Sequence, residues 1–192
     1  MRAIMSLALM AVVSTALVAD ESVQSDLLGE ALASVEKIEA VHLKTLRLAD
    51  LGAKLAIKGR ATEALQAFGS AVAMVSQIEV LPKGEVDAKI AIRMAQGGLF
   101  AQAQAQAKKM PSAVWRGVAQ AETATLMARA GQVAAATALA RSIEHHDFRA
   151  QALSDVAMNS GRSSEIDFRS MDHKIENYRR LYEAELSLES RE

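Results

Sequence analysis

The stretch LGAKLAIKGRATEALQAFGSA, Leu51 to Ala71, decides the fold. Apolar residues recur at three- and four-residue spacings on both sides of Gly59, the mark of two amphipathic helices rather than of strands. A helix that ends at a glycine free to take positive φ lets the chain reverse, and a second helix then packs back on the first. Gly52 and Ala64 are small where the two helices cross, so the backbones approach closely. A large side chain at either position would force the hairpin open.

Working outward, the same signature returns. Gly98 and Gly131 align with Gly59: five residues later stand Ala64, Ala103 and Ala136, and seven residues earlier Gly52, Ala91 and Ala124. Fifteen residues before each glycine is a base, Lys44, Lys83 or Arg116. A fourth, partial copy runs from Arg149 through Ala157 to Gly161, and the glycines are spaced by 39, 33 and 30 residues. That period is close to one helical hairpin.

Leu51, Gly52, Leu55, Gly59, Ala64, Leu65, Phe68 and Ala71 stand in an order that resembles the tetratricopeptide repeat, TPR, with its small residues, turn glycine and aromatic. The later copies keep the glycine and the alanine after it but put Ala107 and Ala140 where Phe68 stands, and none has the family's late proline. The resemblance implies an all-α architecture of stacked antiparallel hairpins. It also implies that the first helix of each hairpin lines a concave groove, here Ala49, Ala53, Ala56 and Ile57, then Ala88, Ile92, Ala95 and Gln96, then Ala121, Thr125, Ala128 and Arg129. The family's carboxylate-clamp members place Lys and Asn in that groove; these small and aliphatic residues suit the apolar side of an amphipathic helix instead. The groove is open to a partner's helix or filled by the chain's own last helix.

Composition agrees with helices. Of the 192 residues 51% are hydrophobic but only 4% aromatic, so the apolar content is Ala, Leu, Val, Ile and Met. The periodicity predicts helices over 22–39, 41–58, 62–79, 85–96, 100–109, 112–130, 133–143, 147–159 and 164–190, the first two continuous or separate. Pro82 and Pro111 fall between them. The net charge of −1, from 22 Lys and Arg against 23 Asp and Glu, provides no field to attract nucleic acid.

Residues 1–19 read as a secretory signal: Met1 and Arg2 precede the uncharged run Ala3 to Val18, Ser14 to Ala16 and Leu17 to Ala19 both form small-residue cleavage ends, and charge beginning at Asp20 favours the second. An uncleaved anchor is the alternative reading of the same run. The organisation expected is therefore a signal at 1–19, a repeat domain at 20–161 and a C-terminal amphipathic helix at 162–192, in a chain exported to the periplasm if its source is Gram-negative and secreted otherwise. The last helix opens with a capping-box pattern, Ser164 and Asp167, and carries the stripe Met171, Ile175, Tyr178 and Tyr182. That stripe either caps the exposed core of the last hairpin or docks on another chain.

Chemistry-bearing constellations are thin. His145, His146 and Asp147 are adjacent in a turn, where metal ligands on a helix need spacings of three or four; the plainer reading is a connector with Asp147 capping the next helix. Gly97 and Gly98 follow a helix rather than a strand, so they make no phosphate loop. No cysteine is present, and no Gly-x-Ser-x-Gly elbow. Asp50 and Glu63 read as a solvated face, Trp115 as burial between hairpins, and Met94, Met110, Met127 and Met158 as core filling. Catalytic, cofactor-binding and metal residues are thus expected to be absent. The reading is a non-catalytic interaction module or scaffold of the cell envelope, with a structural subunit docked through its last helix as the alternative and an unrecognised enzyme behind both.

Overall fold

The computed structural model describes residues 27–79, 83–160, 174–180 and 183, and among them every regular element is helical and none is a strand. The chain divides into two units, Met1–Glu39 and Ala40–Glu192. The first contributes helix α1, residues 27–36. The second contains α2 (Val41–Ile57), α3 (Ala61–Met74), a 3₁₀ turn (Val75–Gln77), α4 (Lys83–Gln96), α5 (Phe100–Lys108), α6 (Ala113–Arg129), α7 (Val133–Arg141) and α8 (His146–Asn159). Residues 174–180 form α9. The expected signal, the Ser164 to Asp167 cap, Met171 and Tyr182 lie outside the described residues.

Three turns share one geometry. Gly59, Gly98 and Gly131 have φ of 77°, 78° and 81°, and no other described residue has a positive φ. The residue after each glycine donates its N–H to a carbonyl five positions back, Arg60 to Leu55, Leu99 to Met94 and Gln132 to Met127, at 2.9 Å in each case. This closure satisfies carbonyls that the helix end leaves open. A Cβ at any of the three would touch nothing within 4 Å, so the demand for glycine is one of backbone conformation alone. Gly→Ala at each is expected to cost about 1 kcal/mol, with Gly→Asn milder, in chemical denaturation followed by circular dichroism.

The hairpins are α2 with α3, α4 with α5, and α6 with α7. First helices also pack on first helices, α2 on α4, α4 on α6 and α6 on α8, while α3, α5 and α7 each reach the first helix of the next hairpin. Small residues permit the crossings: Ala64, Ala91, Ala103, Ala124 and Ala136 are all buried completely. A Cβ on Gly52 would meet the Phe68 ring at 3.0 Å, and one on Gly97 would meet Ala56 Cβ at 2.7 Å. The one bulky ring at the α2–α3 crossing thus sits over a glycine.

A second repeated fit links consecutive hairpins. Trp115 and Phe148, 33 residues apart, lie over Gly84 and Gly117, also 33 apart. A Cβ on Gly84 would come within 2.5 Å of the Trp115 ring, and one on Gly117 within 2.7 Å of Phe148. Trp115 is only 1% exposed, in the burial expected of it.

Several local expectations need correction. The chain between 36 and 41 leaves the helix, with Ala40 extended at the start of α2, so 22–58 is not one helix. The third helix stops at Met74 and tightens into the 3₁₀ turn instead of running to Glu79. His145, not Asp147, holds the cap position of α8; it makes no side-chain cap bond, and Asp147 sits in the first turn. Met94, Met110 and Met127 are buried, but Met158 is 64% exposed.

Candidate functional site

The repeat register identifies which side of the first helices faces away from their hairpin partners. Gly52 faces Phe68 of α3. Two positions earlier on a helix is about 200° around the axis, so Asp50 lies on the opposite side. Lys89 and Glu122 hold the equivalent positions in α4 and α6, each nine residues before its turn glycine. This inner side is therefore lined by ionisable groups.

They are tied across helices. Arg93 donates to Asp50 at 2.7 Å and to Gln96 at 2.9 Å, bridging α4 to α2, while Arg47 reaches the other Asp50 oxygen at 3.2 Å. Lys89 pairs with the fully buried Glu85 at 2.8 Å. Glu122 is 1% exposed and lies under α9: Lys174 donates to its Oε1 at 3.3 Å and the Tyr178 hydroxyl at 3.4 Å. Gln151 of α8 donates to the Tyr178 oxygen at 2.5 Å, and Phe148 meets the Tyr178 ring edge-on at 5.5 Å between centroids. Ile175 is completely buried in the same core. So α9 seats its Ile175 and Tyr178 side on α6 and α8.

Burial pushes the Glu122 carboxyl above the usual range, with Lys174 pulling in the opposite direction. The Tyr178 phenol is likewise raised, first by burial and then by the Glu122 charge. A carboxyl with a raised folded-state value favours the fold most at low pH, and that contribution fades as pH rises through the raised value. Ionising this desolvated carboxyl is costly, and the Lys174 ammonium beside it offsets part of that cost.

Next to α9 the inner side opens into a cleft of about 390 Å³ lined by Leu43, Leu46, Arg47, Asp50, Lys89, Arg93 and Glu176. Leu43 is 47% exposed there.

Most of the residues expected to line the groove are covered by their neighbours. Ala49, Ala53, Ala88, Ile92, Ala95, Gln96, Ala121, Thr125 and Ala128 are buried in helix packing, Ala56 and Arg129 are half-buried, and Ile57 is exposed. Arg129 bonds Asn159 of α8 at 3.2 Å. Of the C-terminal stripe, Ile175 and Tyr178 are buried within this chain. Glu85 and Glu122 were missed, because buried carboxylates run against the reading of charge as a solvated face; for Glu122 the signal available was an ionisable residue at the same register position in three copies, whereas the equivalents of Glu85 are the apolar Leu46 and Val118.

His145 stacks obliquely on Phe148 at 4.8 Å, and His146 Nδ1 is 2.5 Å from Arg149. Glu63 pairs with Arg60 on the surface. Among the described residues no three His, Asp or Glu side chains gather as a metal site would require, and no helix is long and apolar enough to cross a membrane. Set against models of known families, curated proteins and solved structures, the chain matches none.

Proposed function

We propose that this chain is a non-catalytic interaction module or scaffold of the cell envelope, a TPR-like stack of hairpins that receives a partner's helix on its inner side. One observation carries the reading. The inner side of α6 and α8 already holds a helix, the chain's own α9, with Ile175 fully buried and Tyr178 bonded at both its ring and its hydroxyl. A surface that accepts one amphipathic helix has the shape and polarity to accept another. The signal-like pattern of residues 1–19 supports an exported module, in the periplasm of a Gram-negative source or secreted from another.

The alternative, a structural subunit docked through its last helix, would need Ile175 and Tyr178 turned outward. Both face into this chain, so the reading of α9 as an internal occupant has the better support. Ile175→Asp places a charge in an apolar seat and is expected to loosen α9 while leaving the hairpins intact. After cross-linking in the native host, the full-length variant should recover a specific partner severalfold more than the wild type does. Equal recovery from both chains, with circular dichroism unchanged, would remove the proposal.

A further inference from the structure

We infer that the helix this face selects is basic, presenting Arg or Lys, an aliphatic residue and Tyr at positions i, i+1 and i+4, and that α9 is an imperfect occupant which such a helix displaces. The inference rests on the reading of the inner side as a helix receptor and adds the chemistry of what it takes. The buried ends of two carboxylates decide the sign of the charge. Glu122 accepts both of its contacts on Oε1, while Oε2 is buried and receives no hydrogen bond among the described residues. Glu85 is in the same condition: Lys89 reaches Oε1, Oε2 receives no hydrogen bond, and the Arg179 guanidinium of α9, paired with Glu176, also lies in its field.

An acceptor buried without a donor costs free energy, and a ligand that supplies the donor recovers it. The present occupant supplies little. Its Lys174 contact of 3.3 Å and Tyr178 contact of 3.4 Å are long beside the ~2.8 Å of a good charge-assisted bond. Lys174 also reaches only one of the two carboxylate oxygens, whereas the planar fork of a guanidinium can bond both in parallel. The geometry thus favours arginine at the position that Lys174 holds. Tethering explains why a mediocre ligand stays in place, since a linked helix competes at an effective concentration on the order of millimolar.

The test uses the full-length chain and three labelled synthetic peptides: the sequence of residues 171–183 and its K174R and K174Q forms. Fluorescence anisotropy should show weak binding to the wild-type chain and binding about tenfold tighter to the Ile175→Asp chain, where the tethered competitor is weakened. On that chain K174R should bind about threefold tighter than the parent peptide and K174Q about tenfold weaker, from the gain and loss of one charge-assisted bond. Adding Glu122→Gln should erase the ranking. If the three peptides bind alike, the inferred chemistry falls and the helix receptor stands; if none binds either chain, both fall. Should Ile175→Asp fail to fold, hydrogen exchange of the 174–180 amides in the wild-type chain decides, because exchange that millimolar K174R peptide does not accelerate overturns the displacement.

Discussion

Trp115→Ala is expected to lower the unfolding free energy by about 3–5 kcal/mol, the range for losing a large aromatic from a close-packed core. The ring is 1% exposed and lies on Gly84, where a Cβ would come within 2.5 Å of it. It therefore fills the space between two hairpins. A loss of that size removes a large share of the total stability of a small domain. Guanidinium denaturation followed by circular dichroism measures it, with the exposed Leu65→Ala as the control expected to change stability by less than about 0.5 kcal/mol. A cost for Trp115→Ala as small as that of Leu65→Ala would mean that the ring does not join the hairpins.

Gly117→Val should be the next most damaging change, at about 3 kcal/mol, the upper part of the range for overpacking. Its Cβ would stand 2.7 Å from Phe148 Cδ2 and 3.3 Å from Phe148 Cβ. The second distance matters more, because Cβ is fixed to the α8 backbone and cannot rotate away. Phe148→Ala alone opens a cavity of its own and also costs about 3 kcal/mol. The two defects are complementary in volume, so the double variant should be more stable than the sum of the singles by about 1–3 kcal/mol. Strict additivity in that cycle would show that Phe148 does not need the missing side chain at 117.

Particular residues show what the sequence disclosed. Gly59, Gly98 and Gly131 announced the three turns, since a backbone requirement for positive φ restricts residue choice almost completely. The alanines at the crossings were legible for a similar reason: close approach admits few residues. The fit of Trp115 over Gly84 and of Phe148 over Gly117 was not read, although both pairs keep one spacing. A glycine inside a helix and a distant aromatic look unrelated until the helices stack. Most of the residues expected in the groove pack inside, because small and aliphatic residues cover most of each first helix, and composition alone does not distinguish a side packed on a neighbouring helix from one left open. Where α9 would settle could not be read from its stripe, which specifies an apolar side but not the surface that receives it. The proposed selection of one helix over another rests on the buried carboxylates of Glu85 and Glu122.

The glycine turns are interchangeable, yet the inner side is not. Along it the ion pairs that join different helices run between opposite signs, Asp50 on α2 with Arg93 on α4 and Glu122 on α6 with Lys174 on α9. A chain shortened by its middle copy would keep the turns at Gly59 and Gly131 and still bring Glu122 beside Asp50, anion against anion. Electrostatics therefore numbers the copies, giving each an address in the row that the shared scaffold withholds.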